Sequence, residues 1–283
     1  VASAESLGAT TPRPTLRLPP RDVPVIAAVD VLVVGGGAAG IAASVAAARM
    51  GAQTLLIERY GAVGGMATGG LIILLLTLDD GAGNQVIAGI CQEMVDLLQA
   101  RGAAVFPPAG EWGRTDEALI ERYQRWGLIW GQAPHRVRYS VAYDPEEFRF
   151  VANGLLQASG VRLRFHTWAT EPVIEGDRIM AVVVHSKAGA EAIRARVVID
   201  ATGDGDVLAA AGEPFALECV HPWLWFRMAN VRTIDAAIDA ARGRFFPTLG
   251  GLFFKTLGQG RALMPWGIAD ALDRKINPID PDD

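Results

Sequence analysis

Residues 30–40 read Asp-Val-Leu-Val-Val-Gly-Gly-Gly-Ala-Ala-Gly, and they constrain the fold of this chain more than any other stretch. A short apolar run bounded by glycine reads as a buried strand. The chain must leave that strand, turn within a few residues and enter the alanine-rich segment Ile41 to Met50 as a helix, which Gly51 stops. Gly35, Gly37 and Gly40 fill the glycine places of G-x-G-x-x-G. In that motif the first glycine permits the tight turn. The second lets the backbone approach a pyrophosphate, and the third lets helix and strand pack closely. The helix N-terminus then offers unpaired N–H groups and a positive dipole end to phosphate.

A second apolar run, Thr54 to Ile57, ends in Glu58. A carboxylate at the end of the second strand accepts hydrogen bonds from ribose hydroxyls and repels a 2′-phosphate. These residues alone fit either NAD or FAD. The next loop, Tyr60-Gly61-Ala62-Val63-Gly64-Gly65-Met66-Ala67-Thr68-Gly69-Gly70, follows Glu58 almost directly. Strand, GxGxxG, helix, strand with glutamate and then a Gly-Gly loop resembles the FAD-dependent oxidoreductases of the glutathione-reductase-like superfamily. The resemblance implies FAD as cofactor. Gly35, Gly37, Ala38, Ala39 and Gly40 would hold its diphosphate and Glu58 the adenosine ribose. Arg59, Gly64, Gly65, Met66 and Ala67 would wrap the diphosphate or ribityl chain. NAD binding without flavin stays as an alternative, against which the Gly64-Gly65 loop speaks.

The chain has 283 residues, enough for one large domain or two ordinary ones. It is 51% hydrophobic and 20% charged, the balance of a globular protein. Its net charge of −5 gives nucleic-acid binding no electrostatic support. Cys91 and Cys219 form no CxxC, so disulfide reductase chemistry is not indicated. His135, His166, His185 and His221 are scattered, which points to no metal site. The most apolar run, Leu71 to Leu76, is far too short to span a bilayer. Residues 1–20 lack the pattern of a secretory signal, so a cytoplasmic location is expected. The first residue is Val, which implies a missing or processed start.

Residues 1–28 are rich in proline and read as an extended N-terminal strap or a tail. Residues 29–102 form a first part of the nucleotide domain and end in a helix from Gln85 to Arg101. Ile87, Ile90, Met94, Leu97 and Leu98 share one face of that helix. Residues 103–143 are an insertion dense in Trp, Tyr and Arg, either a cap with an ordinary core or a substrate-lining or interface segment. Residues 144–213 form the second part of the nucleotide domain. Asp144-Pro145-Glu146-Glu147 opens a helix with Phe148, Val151, Leu155 and Leu156 buried. Strands follow over Val161 to Phe165, Trp168 to Ile174, Ile179 to Ser186 and Ile193 to Ile199. In the superfamily, a backbone group at the start of such a meander contacts adenine, which implies Trp168 or Ala169 here.

The strand Val197-Val198-Ile199 runs into Asp200-Ala201-Thr202-Gly203-Asp204-Gly205-Asp206. This segment is similar to the Ala-Thr-Gly return of the same superfamily, which implies that Ala201, Thr202 and Gly203 close over the cofactor. Two separated motifs in the expected order constrain the fold more than either alone. The implied fold is α/β, a Rossmann-like FAD-binding domain with a three-layer ββα arrangement and an α+β substrate or cap domain. Residues 214–283 would be an incomplete part of the latter. Relatives continue with a further strand and a helix aimed at the flavin. No such return follows residue 212, so a fragment, a homo-oligomer or a partner chain completing the domain is expected.

The function implied is a flavin-mediated dehydrogenation or reduction of a small organic substrate. A cofactor-binding or structural subunit that needs a second polypeptide is the alternative. No catalytic side chain stands out. His221 and Tyr143 are candidates for a general acid or base, although a lone histidine beside Pro222 and Trp223 is more often structural.

Overall fold

The computed structural model describes residues 16, 19–125, 127–129, 134–216, 255–257 and 261–263. The chain forms two compact units, Val1–Ile72 with Pro145–Trp225 and Ile73–Asp144 with Phe226–Asp283.

The first unit is built on strands β1 (Val25–Val34), β2 (Thr54–Ile57), β6 (Arg162–Arg164), β7 (Trp168–Glu175), β8 (Arg178–Ser186) and β9 (Gly189–Asp200). Their order is β6-β2-β1-β9-β8-β7. β6, β2, β1 and β9 are parallel, whereas β8 and β7 return antiparallel. β9 serves both parts. Its first half pairs with β8 and its second half runs beside β1, with Val31 opposite Val197 and Val34 opposite Asp200. β1 reaches back to Val25, further than the apolar run alone indicates, because β9 supplies partners from Ala192 onward. The Ala192 N–H bonds the Pro24 carbonyl at 2.8 Å, so the end of the proline-rich lead-in already joins the ladder.

Alternation divides the side chains of β1 and β2 between two faces. Val29, Leu32, Val34, Leu55 and Ile57 cluster with Val182 and Val184 of β8, with Ile193 of β9 and with Val207. Helix α1 (Ala38–Arg49) packs on β1 and β2 and against helix α4 (Pro145–Ala158). Helices, parallel sheet and meander are thus the three layers expected. Val33, Leu56, Val45 and Leu156 are fully buried. Each such side chain contributes about 1.5–3 kcal/mol of burial. The buried residues of α4 are Phe148, Val151, Leu155 and Leu156, as the spacing predicts, joined by Pro145 and Ala152.

In the second unit, β3 (Leu74–Leu75), β5 (Val141–Tyr143) and β4 (Ala104–Val105) form a small antiparallel sheet in that order. Helices α2 (Ile90–Ala100) and α3 (Glu117–Arg125) belong with it. The unit begins at Ile73, so β3 and α2 join the insertion and not the nucleotide part. The expected helix from Gln85 is shorter in the structure. Gly89 turns at φ +62°, and the N–H groups of Val86 and Ile87 bond back to the Leu78 carbonyl at 2.9 and 3.1 Å. The buried face of α2 is Met94, Val95 and Leu98, with Ile87 and Leu97 exposed.

Among the described residues, Phe106, Trp112, Tyr123 and Tyr139 of the insertion pack into apolar clusters. Tyr139 stacks on Trp112 at 4.2 Å and meets the edge of Phe106 at 5.6 Å, and its hydroxyl donates to Gln92 Oε1 at 2.7 Å. A second cluster joins Tyr123, Leu128, Ile129 and Val137. Cys91 packs against the first cluster, in line with a core thiol. Buried Asp79 receives Arg138 Nε at 3.0 Å, and Arg138 also donates to the Thr77 hydroxyl at 2.8 Å.

α5 (Asp206–Ala210) follows β9 in the first unit. Strands β10 (Lys255–Leu257) and β11 (Arg261–Leu263) form an antiparallel hairpin. Most of the expected substrate or cap domain, including the candidate His221, lies outside the described residues. Among the described residues no helix is long and apolar enough to cross a membrane.

Candidate functional site

The first glycine loop joins β1 to α1. Gly35 has φ +104°, and a Cβ there would overlap the Ala201 carbonyl. A Cβ on Gly40 would overlap the Gly35 carbonyl and reach Ala201 Cβ at 3.3 Å. Both glycines are therefore fixed by close packing. Gly37 differs. Its backbone is extended at φ −68°, and nothing lies within 4 Å of a Cβ built on it. It caps α1 without a side-chain hydrogen bond, and α1 begins at Ala38, three residues before the apolar pattern predicts. The first-turn amides of α1, from Ala38, Ala39 and Gly40, have no intrahelical carbonyl to meet. The open face of Gly37 and these amides form a cradle for an anion.

The second loop is locked onto the first. The Gly64 N–H donates to the Gly36 carbonyl at 2.7 Å, and Gly37 and Gly64 form an isolated parallel bridge. Gly64 has φ +114°, and a Cβ there would overlap Thr68, whose hydroxyl donates to the Val63 carbonyl at 3.0 Å. A Cβ on Gly65 would stand 3.0 Å from Gly37 Cα. Gly65 to Ala67 make one 3-10 turn in which Met66 is exposed and Ala67 buried.

Glu58 sits at the end of β2, only 6% exposed. Its Oε2 accepts the Gly36 N–H at 2.6 Å, and its Oε1 accepts the Tyr60 N–H at 2.8 Å. A carboxylate has about four acceptor sites, so these bonds leave capacity for two more donors. Beside it, the Arg59 guanidinium lies 5.1 Å from the Tyr60 ring centre and 5.3 Å from that of Trp168, both aromatic side chains being exposed. A Cβ on Gly61 would meet the His166 ring at 2.8 Å. Ala169, the second residue of β7, pairs with Val184 and packs toward the core.

β9 brings the second motif to the first loop. The Ala201 N–H bonds the Val34 carbonyl at 2.8 Å. Asp200 accepts from the N–H and hydroxyl of Thr202 at 3.0 and 2.7 Å, and from the N–H groups of Val207 and Leu208 at 2.9 Å. Burial pushes the Asp200 carboxyl up. The hydrogen bonds from Leu208, Thr202 and Val207 outweigh that and hold it below its ordinary value. The Thr202 hydroxyl also accepts from Gly205 and Asp206 at 3.0 Å, so it is committed to its own turn. Gly203, at φ +88°, has open space around it.

Gly35, Gly36, Gly37, Gly40, Glu58, Gly64, Gly65 and Ala201 thus meet at the carboxyl ends of the parallel strands. This is where open α/β sheets hold ligands. Met66 and Ala67 follow Gly65 in the chain, and Thr202 and Gly203 follow Ala201, whereas Ala169 lies in β7 and packs toward the core. Two residues escape sequence reasoning. Gly36 occupies a free position of the motif, yet it is the bonding partner of both Glu58 and Gly64. Asp200 organises the second motif, a role signalled only by its place before Ala-Thr-Gly. Tyr143 is buried in β5, where burial pushes its hydroxyl well above the ordinary value, so that it holds its proton. Among the described residues no group of His, Cys, Asp and Glu could hold a metal ion.

Residues 30–252 match the family model described as FAD dependent oxidoreductase. The chain is 32% identical over 172 residues to the tRNA uridine 5-carboxymethylaminomethyl modification enzyme MnmG of Campylobacter hominis, covering 55% of this chain and 21% of that protein. It is 43% identical over 111 residues to the enzyme of the same name from Aliarcobacter butzleri, covering 34% of this chain and 16% of that one. The chain thus spans about a fifth or less of these curated relatives. A geranylgeranyl bacteriochlorophyll reductase-like protein from Thermoplasma acidophilum aligns with a TM-score of 0.43 at 22% identity. That alignment covers 66% of this chain and 42% of the other.

Proposed function

The chain belongs to the FAD dependent oxidoreductase family, and from that premise we propose that it holds FAD across its two glycine loops for the oxidation or reduction of a small organic substrate. The observation that carries this reading is the pair of loops bonded to each other around Gly37 and Glu58. The residues fit the cofactor chemically. The open face of Gly37 and the first-turn amides of α1 bind the diphosphate. Glu58 takes the ribose hydroxyls on its spare lone pairs. Arg59, between Tyr60 and Trp168, offers a flat cationic and aromatic surface to adenine beside the backbone of Ala169. Gly64, Gly65, Met66 and Ala67 line the route toward the flavin half, and Ala201, Thr202 and Gly203 border it from β9. When bound, FAD supplies the hydride or electron transfer, and these residues bind and orient it.

The tRNA modification named for the relatives is not carried over. The aligned stretch is at most 21% of the first of them, and the net charge of −5 offers no attraction to a phosphate backbone. Titration with FAD against FMN tests the reading. FAD binds tightly and FMN at least about 100-fold more weakly, since FMN lacks the adenosine half. Equal affinity for the two would contradict the assignment of Glu58 and Arg59.

A further inference from the structure

The ribose assignment uses two of the acceptor sites of Glu58. The other two are filled by backbone N–H groups, and one of these lies inside the first glycine loop. Gly36 donates to Glu58 Oε2 at 2.6 Å, within the range of a charge-assisted bond, and the carboxylate is 6% exposed. On its other side, the Gly36 carbonyl accepts the Gly64 N–H at 2.7 Å. The neighbouring residues are tied elsewhere. Gly35 donates to the Ile57 carbonyl at 2.9 Å, and the Gly37 carbonyl accepts from Ile41 at 2.9 Å. Gly36 is therefore the link that runs from the end of β2, through the first loop, to the second.

We infer that Glu58 is the positioning residue of the diphosphate loop as well as a ribose acceptor. Its carboxylate fixes the Gly36 peptide, and through Gly36 it sets the first loop against the second. The ribose and diphosphate subsites are then one unit. The inference rests on the FAD reading of this site. The chemistry is specific to a carboxylate. In a glutamine, one terminus becomes an NH2 donor and must face either the Gly36 or the Tyr60 N–H. Two donors then oppose each other in a buried place, which costs the desolvation of an unmet group. A residue that served only the ribose would leave the loop to Ile57 and Gly64.

A two-by-two comparison separates these accounts. Wild type and Glu58→Gln are each titrated with FAD and with an FAD analogue whose adenosine ribose lacks its 2′- and 3′-hydroxyls. The wild type binds the analogue at least about tenfold more weakly than FAD. Glu58→Gln then loses about a further tenfold on the analogue, although no ribose hydroxyl remains to be recognised. Equal binding of the analogue by both proteins overturns the positioning role and leaves the ribose role standing. A wild type that binds neither flavin overturns the FAD reading and this inference with it. If Glu58→Gln does not fold, the wild type decides alone. With glycine-selective nitrogen-15 labelling and no flavin present, the Gly36 amide proton lies downfield and exchanges slowly. Exchange at the rate of an open loop overturns the inference.

Discussion

The carbonyl of Ala201 occupies the space that a Cβ on Gly35 would need. The two sequence signatures of this chain, far apart along it, thus meet at van der Waals contact. The contact follows from β1 and β9 running parallel with Val34 opposite Asp200, which brings the ends of both strands to one level. It also separates glycines that hold the fold from glycines that serve the ligand.

Gly35→Ala and Gly40→Ala should each destabilise the protein by about 3 kcal/mol or more, through backbone overlap and, at Gly35, a φ of +104°. Gly37→Ala meets nothing within 4 Å at an ordinary φ of −68°, so its thermal midpoint should match or slightly exceed that of wild type. Its FAD affinity should nonetheless fall by about 100-fold, or about 2.7 kcal/mol. Melting curves read together with flavin titrations check both halves. A stable Gly37→Ala variant with unchanged FAD affinity would displace the diphosphate from this loop.

Asp200 gives a pH signature. Its carboxyl is held below the ordinary value in the folded protein, so the unfolded chain binds more protons as the solution is acidified. The stability it contributes is complete above the unfolded-state value of about 3.9 and is lost as pH falls through the folded-state value. Denaturant unfolding from pH 7 to 3 should show a shallower acid loss for Asp200→Asn than for wild type. Parallel curves would mean that the carboxylate is not so stabilised.

In the second unit, Asp79 is buried against Arg138 at 3.0 Å. Asp79→Ala should cost about 1–3 kcal/mol, because the partly exposed guanidinium loses its carboxylate and keeps the Thr77 hydroxyl. Replacing both residues with apolar side chains of similar volume should cost clearly less than Asp79→Ala alone. Chemical denaturation of the variants measures the difference.

The strands of the six-stranded sheet, the glycine turns and the apolar face of α4 are legible in the sequence, because alternation, helical spacing and positive φ are local properties, whereas the two- and three-residue strands β4 and β5 are too short to carry a pattern. The start of α2 is not. Ile87 and Ile90 continue a helical pattern, but Gly89 breaks it and residues 86 and 87 bond to Leu78 instead. The sharing of β9 between the meander and the parallel sheet depends on long-range register. Glu58 is legible as a carboxylate after a strand. Its bond to Gly36 is not, since it joins an end of β2 to a loop after β1 and no spacing rule encodes it.

Trp168 and Tyr60 flank Arg59 with large exposed rings. Trp168→Ala should weaken FAD by about three- to tenfold, the worth of one aromatic stack, and should leave FMN binding unchanged. An equal loss for both flavins would move adenine away from this surface.

The visible absorption spectrum of the purified protein, followed by denaturation and identification of what is released, tests the central claim most directly. The account predicts a flavin spectrum and free FAD. A protein that is colourless as purified, stays so after incubation with FAD and is stabilised by NAD instead would contradict it.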